Sequence, residues 1–345
     1  FHNFKHKIQV LFMDYRSTSI NNNHPLVYII ILNWNGWEDT IECLDSAFQI
    51  NYSSYRIVLC DNNSQDRSLE QIKQWLDNRQ NISYFEYSQF QDQSLSIEDT
   101  YDHQLILIPT GKNLGFAGGN NIGISYALSD PNCAYVWLLN NDTTVNPNAL
   151  TALVDRSQLD TNIGICGSKL VYYHQRSIVQ AWGGGRYDKW LGVANNLGMG
   201  ASIELKVDSL EVEKTLDFIM GASMLVSRSF IKDVGLMNEQ YFLCFEELDW
   251  IVRAKGKYKL GYADRSIVYH KEGRSTGNNS DKNQRSYLSD YYNQRSYILF
   301  TRTYYPYLRP FIYLHLCTTL VNRIGRKQID RIPMIWKLVL EDMKI

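Results

Sequence analysis

The sequence is most informative at first for what it lacks. It has six cysteines, Cys43, Cys60, Cys133, Cys166, Cys244 and Cys317, but no CxxC pair and no Cys/His cluster. Zinc and dithiol redox chemistry are therefore not expected, and scattered cysteines in apolar segments read as reduced, buried thiols of a cytosolic protein. No apolar run reaches the roughly 18 residues of a membrane-spanning helix, and the N-terminal stretch has no signal-peptide core or cleavage site. The net charge of −1 gives no bulk attraction to nucleic acid. GxGxxG, the GK[ST] ending of a phosphate loop and the GxSxG elbow are all missing, which removes the dinucleotide, P-loop and serine-hydrolase fingerprints. No internal repeat is apparent.

What is present is a globular composition, 44% hydrophobic and 21% charged over 345 residues, enough for a sizeable core. Residues 1–25 read as a poorly ordered extension. From Leu26 the pattern alternates. "LVYIIIL" is a strand buried on both faces, followed by the helical spacing of "WEDTIECLDSAF", the strand "YRIVLC" and the helix "SLEQIKQWLDN". After a polar insertion (88–100) come "QLILI", a glycine-rich turn, the helix "NNIGISYALS" and the strand "AYVWLLN". This alternation predicts an α/β fold with a mainly parallel central sheet flanked by helices.

In the second half, "GGGRYDKWLGVANNLGMG" reads as an irregular loop and "LDFIMGASMLVS" as a strand broken at Gly221. "EELDWIVRAKG" is a short helix and "GYADRSIVYH" a strand ending at His270. "SYLSDYYNQRSYILFTR" is a helix with Tyr287, Tyr291 and Ile298 on one face. Residues 301–345 form an aromatic, basic helical extension, suited either to lying on a bilayer surface or to docking on the body.

Ligands of parallel sheets sit beyond the carboxyl ends of the strands, and the polar clusters fall there: Asn33 and Asn35, Asp61 to Ser64 (including Asn63), Asn113 to Asn120, and Asn140 to Thr144 (including Asn141). Asp142 is a hard oxygen ligand suited to Mg2+ or Mn2+ shared with a diphosphate. His270 could complete that site, donate to a phosphate oxygen or serve as a structural hydrogen-bonder. Asp61 is placed for a nucleobase or ribose, or as a helix cap. Glu246, Glu247 and Asp249 open a helix, where the macrodipole favours acids; they also supply a base for an attacking hydroxyl. A metal-held diphosphate with a separate carboxylate base describes transfer from an activated sugar.

With those residues in view, the chain resembles glycosyltransferase family 2, in particular its rhamnosyltransferase-like branch. The likeness runs from about Leu26 to about Phe300 through "ILNWNGWEDTIECLDS", "DNNSQDRS", "NLGFAGGNNIG", "WLLNNDTTVNP", "DFIMGASMLVSR", "VGLMNEQYFLCFEELDW", "VYHKEGRS" and "YYNQRSYILF", in the family's order. It implies a GT-A fold over residues 26–300, with a nucleotide-sugar half (26–145), an acceptor half (146–300) and an inverting mechanism. Asn33, Asn35, Asp61 and Asn63 would hold the nucleoside, with Asn113 and Gly115 closing beside it. Asn140 and Asp142 occupy the first and last positions of the family's DxD motif, around Asn141. Glu247 stands where the family usually has its catalytic Asp, and its extra methylene leaves Glu246 and Asp249 open as the base. His270 matches the histidine associated with metal or diphosphate. The implied partners are a nucleotide-diphosphate sugar, dTDP-rhamnose or a UDP-sugar, and a glycan or lipid-linked acceptor at the inner face of the cytoplasmic membrane. A non-catalytic nucleotide-sugar-binding scaffold and a nucleotidyltransferase are the competing readings.

Overall fold

The computed structural model describes residues 24–87, 97–254, 256–272 and 286–343. The expected extension before residue 24 and most of the polar insertion lie outside the described residues.

The first strand sets the plan. β1 (Leu26–Asn33) alternates its side chains between two cores. Val27, Ile29 and Ile31 enter one apolar cluster, and Tyr28 and Ile30 enter the other. A continuous apolar run is what burial on both faces requires. β1 pairs in parallel with β2 (Tyr55–Asp61) and β5 (Cys133–Asn140), and β2 with β4 (Leu105–Pro109), which carries the short edge strand β3 (Tyr84–Glu86). Beyond β5 the order continues through β12 (Ser223–Ser227), β7 (Ile163–Tyr172), β13 (Lys259–His270) and β6 (Thr143–Val145), with β8 (Val179–Trp182) also on β7. β12 runs antiparallel to both its neighbours, while β13 is parallel to β7 and antiparallel to β6. The sheet is therefore mixed but mostly parallel, as expected.

Helices α1 (Trp37–Ala47), α2 (Ser68–Asp77) and α4 (Ala149–Leu159) send buried residues into the first core. α3 (Gly115–Ser129), α6 (Arg228–Val234) and α7 (Glu246–Arg253) serve the second. A short helix α5 (Ser209–Glu213) lies against β13.

Two expectations are corrected. The glycine-rich stretch after β4 is not a turn but the first half of α3. A side-chain carbon at Gly119 or Gly123 would overlap Leu32 or Ile30 of β1, so small residues let this helix approach the sheet. Likewise "GGGRYDKWLGVANN" is not an irregular loop. It forms β9 (Gly184–Asp188) and β10 (Val193–Asn196), which with β11 (Phe218–Ile219) make a second, three-stranded antiparallel sheet. Gly184 and Gly185 are the residues that pair with Ile219 and Phe218, so the glycines bring backbones together rather than break the chain.

The C-terminal region is helical: α8 (Tyr287–Tyr304), α9 (Arg309–Gly325) and α10 (Ile332–Met343). The helix expected here forms, with Tyr287, Tyr291 and Ile298 on one face, and that face is only partly buried. Ile298 is buried and Tyr291 joins the small core of these helices, but Tyr287 is exposed. In its place Asp290 is fully buried, 2.5 Å from Arg323 and 3.0 Å from Arg331. Two guanidinium groups converging on one dry carboxylate pin α8, α9 and the start of α10 together. Asp290→Ala is expected to cost about 3–5 kcal/mol, read as an earlier denaturant midpoint in unfolding followed by circular dichroism. The thiol expectation also needs amending: Cys43, Cys60, Cys133 and Cys166 are buried, but Cys244 is partly exposed and Cys317 exposed.

Candidate active site at the carboxyl ends of the strands

The polar residues that end β1, β2 and β5 are joined to one another. Asn33 Nδ2 donates to Asp61 Oδ1 (2.7 Å) and to Ser64 Oγ (3.1 Å), while its Oδ1 accepts from the Thr40 hydroxyl (2.8 Å). Thr40 in turn accepts from Asn141 Nδ2 (3.0 Å). The Asp61 carboxylate is completed by Ser64, whose hydroxyl and backbone N–H donate at 2.7 and 3.1 Å. This chain ties three strand ends and the first turn of α1 into one rim. Asn33 is buried with its amide engaged on both sides, so its visible role is to hold Asp61 in place.

Asn35 and Asn63 both adopt left-handed backbone conformations, φ 51° and 59°, which asparagine tolerates better than most residues. Asn35 is exposed, and its side-chain Oδ1 accepts from the backbone N–H groups of Gln65 (2.7 Å) and Asp66 (3.3 Å), bringing the β1 and β2 loops together. The opening of α3 is held to the same rim by Asn62. Its Nδ2 donates to Asn113 Oδ1 and to the Gly115 carbonyl, both at 3.1 Å, and its Oδ1 accepts from Leu114 N (3.0 Å). Asn113 also accepts from Gly115 N (2.9 Å).

The second group is Asp142 and His270. β13 pairs with β6 so that His270 stands opposite Thr143. That register puts His270 Nε2 3.3 Å from Asp142 Oδ1, with both side chains nearly buried. His270 Nδ1 faces Gln180 Oε1 at 2.9 Å. With the Gln180 amide oxygen toward the ring, Nδ1 is the donor and the Nε2 edge is turned to the carboxylate. Burial alone would lower the pKa of this ring; the Asp142 carboxylate, with help from Glu272, outweighs it and the net direction is up. Lys271 locks the arrangement. Its backbone N–H donates to the Asp142 carbonyl (2.9 Å), and its buried ammonium meets Asp39 and Glu42 of α1, both at 2.5 Å.

No three His, Cys, Asp or Glu side chains among the described residues converge as an all-protein metal cage. A carboxylate and an imidazole side by side at two strand ends fit a different arrangement, in which a hard divalent ion takes its remaining ligands from phosphate and water.

The third group is the acidic opening of α7. Cys244 and Phe245, directly before it, both have left-handed backbones, φ 66° and 71°. Two successive non-glycine residues in that region cost about 1–2 kcal/mol each, and such strain gathers at functional sites. The three acids differ. Asp249 is committed to structure: Arg253 Nε lies at 2.8 Å from one oxygen and Tyr304 donates to the other at 2.7 Å. Glu246 is buried, and its Oε2 has no hydrogen-bond partner among the described residues. Burial, then the charge of Glu247, pushes its pKa well up. Glu247 is partly exposed, and burial also raises its pKa, though backbone N–H donors work against the rise. One of those donors is Gly221, whose N–H reaches Glu247 Oε1 at 3.1 Å.

Gly221 links the groups. The next residue, Ala222, accepts from the backbone N–H of Asn140 at 3.1 Å. Glu247 is thus one dipeptide away from the strand end that leads to Asp142. A side-chain carbon at Gly221 would overlap the Glu247 carboxylate and crowd Phe116 of α3. The α3 opening closes from the other side, with Phe116 N donating to the Phe242 carbonyl at 2.8 Å. Several of these hydrogen bonds connect residues separated by more than a hundred positions. Asn62, Thr40, Ser64, Gln180 and Lys271 take part in these contacts and were not singled out individually from sequence, and Gly221 was read only as a break in a strand.

Known proteins align with this arrangement. The model of Glycosyl transferase family 2 matches residues 28–94 and 88–234, more than half of the chain. The chain belongs to glycosyltransferase family 2. Glu246 to Asp249 and His270 lie beyond the matched span. A curated relative, the low-salt glycan biosynthesis hexosyltransferase Agl10 of Haloferax volcanii, is 28% identical over 148 residues, which is 43% of this chain and 45% of that protein. The chain thus spans under half the length of the curated relative it matches. Among solved structures, GalNAc-T7 with UDP, GalNAc and Mn2+ superposes with a TM-score of 0.54 at 16% identity, covering 85% of this chain and 55% of that one. The mannosyltransferase PcManGT of Pyrobaculum calidifontis, in complex with GDP-Man and Mn2+, gives 0.50 at 10% identity, over 93% and 88%. TarS 1–349 of S. aureus gives 0.50 at 12%, over 92% and 79%. The fold is GT-A. None of these likenesses singles out the rhamnosyltransferase branch.

Proposed function

We propose that this family 2 glycosyltransferase moves a hexose from a nucleotide-diphosphate donor to a hydroxyl of a glycan or lipid-linked acceptor, with inversion at the anomeric carbon. The observation that carries the proposal is the Glu247–Gly221–Ala222–Asn140 connection, which joins the only partly exposed acid of the α7 triplet to the Asp142–His270 pair.

In this reading Asp61, held by Asn33 and Ser64, faces the nucleoside, with Asn35, Asn63 and Asn113 on the same rim. Asn140 and Asn141 stand beside the diphosphate. Asp142 and His270 would hold a Mg2+ or Mn2+ ion, which when bound offsets charge on the departing diphosphate. Glu247 takes the proton from the acceptor hydroxyl as its oxygen attacks the anomeric carbon and the bond to the diphosphate breaks. Its other oxygen is fixed by Gly221, so the carboxylate is oriented before substrate arrives. Glu246 beside it is buried, and burial and the Glu247 charge both favour its protonated form, which makes it the poorer base. The hexosyltransferase name of the Haloferax relative supports a hexose donor, and nothing in it favours dTDP-rhamnose over the UDP-sugars that the resemblance also implied.

A calorimetric screen of UDP-, GDP- and dTDP-sugars with and without Mn2+ tests the reading. Binding of one nucleotide class, strengthened by Mn2+, followed by Mn2+-dependent release of nucleotide diphosphate, is expected. A protein that binds none of them, or binds one and releases pyrophosphate, would not be a sugar transferase.

A further inference from the structure

Helix α9 carries large apolar side chains on its exposed face as well as on its buried one. Its inward face includes Thr319 and Arg323 beside Ile312 and Leu316, and Arg323 is spent on buried Asp290. Its outward face carries Phe311, Leu314, Val321 and Ile324, with Leu314 60% and Val321 67% exposed. No exposed residue from Pro310 to Gly325 is charged. A surface helix of a water-soluble body has charged and polar residues on its outward face.

The apolar row does not stop at the helix. At its Phe311 end it meets the tip of the β9–β10 hairpin, where the ring of Trp190, 53% exposed, lies 5.7 Å from Phe311 and 6.3 Å from Tyr307. A contiguous exposed apolar surface of this kind marks an interaction site. Its charge selects the partner. Lys189 lies over the Trp190, Tyr305 and Tyr307 rings, and Arg326 and Lys327 are exposed at the opposite end of α9. Between Asp290 and Asp330 the sequence has no Asp or Glu and five Arg or Lys residues besides the buried Arg323.

We propose that this face seats the protein on an anionic bilayer surface, with α9 in the plane of the headgroups and Trp190 and Tyr307 at the interface. Aliphatic side chains on one side, Trp and Tyr at the edge and cations around them are the physical requirements of such seating. A second copy of the chain is a poorer occupant, because two-fold pairing sets like cations against each other. No helix among the described residues is long and apolar enough to cross a membrane, so the contact is with the surface. The proposal rests on the C-terminal helices and hairpin tip alone, and its failure would leave the sugar-transfer reading where it stands.

The test is co-sedimentation of the full chain with phosphatidylcholine vesicles, with and without about one-third phosphatidylglycerol. Binding to the anionic vesicles that weakens with salt is expected. The double variant Leu314→Glu/Val321→Glu should bind about tenfold or more weakly, and Arg326→Glu/Lys327→Glu should lose about tenfold on anionic vesicles only. Unchanged thermal unfolding of both variants would confirm that surface, not folding, was altered. Three results would each overturn the proposal: no association of the wild type with anionic vesicles, equal association of Leu314→Glu/Val321→Glu, or a dimer broken by that variant without vesicle binding.

Discussion

Glu247→Gln is expected to lower sugar transfer by about 10³-fold while leaving nucleotide-sugar affinity within about twofold of wild type. The amide keeps the size of the side chain and can still accept the Gly221 N–H bond at Oε1, so folding and the rim are preserved. What goes is the capacity to take a proton. A loss of rate without a loss of donor binding is what separates a base from a ligand. The companion variant Gly221→Ala tests orientation: its methyl group overlaps the carboxylate, so transfer should fall with Glu247 still present. Wild-type turnover by Glu247→Gln would move the role to another group. Glu246→Gln then becomes the informative variant, since Asp249 has both oxygens occupied by Arg253 and Tyr304.

The pH dependence follows from the same burial. Burial raises the Glu247 pKa above its ordinary 4.5, and the base works only when ionised. The rate should therefore fall as pH drops through the raised value, with an acid limb above 4.5 that Glu247→Gln abolishes. Stability has the opposite sign. Glu246 and Glu247 bind protons more tightly folded than unfolded, so their contribution is fully present below 4.5 and is lost as pH rises through the folded values. Glu246→Gln, which cannot ionise, should flatten that loss in melting temperatures recorded across the range.

How far the sequence disclosed all this depends on the kind of contact. The strands were legible because burial on both faces demands continuous apolar runs, as in "LVYIIIL" and "AYVWLLN". Their polar ends were legible for the same reason: an Asn or Asp closing such a run has no business in the core unless it faces a site. Glycine was read wrongly twice. In α3 and in β9 the absence of a side chain serves close packing, and nothing local distinguishes that from a turn; the deciding neighbours, Leu32, Ile30 and Phe218, are distant in sequence. Gln180 escaped notice and Gly221 was seen only as a strand break for a related reason, since their importance comes from His270 and Glu247. Asn33 was found from its place at a strand end, but its bonds to Asp61, Ser64 and Thr40 could not be read from the sequence. The outward apolar face of α9 had only its composition as a sign, because which side of a helix meets water is fixed by the buried Asp290 pairing.

Asp142→Asn should remove most of the Mn2+-dependent part of nucleotide affinity, weakening it by about 100-fold or more, with binding in the absence of metal little changed. The substitution keeps the side-chain shape beside His270 Nε2 and removes the negative charge, and a hard divalent ion depends on that charge. Electron paramagnetic resonance of free Mn2+ alongside calorimetry would separate loss of the ion from loss of the nucleotide. His270→Gln should act more weakly, since it leaves the carboxylate. The opposite change can be made at Asn140, which ends β5 two residues before Asp142. Asn140→Asp places a second carboxylate at that strand end and should tighten Mn2+ binding by about tenfold. If Asp142→Asn kept Mn2+-dependent affinity, or Asn140→Asp weakened it, the pair at these strand ends would be a structural ion pair and the ion, where used, would bind elsewhere. Opposite responses at two positions of one strand end are hard to produce by misfolding, which lowers affinity in both.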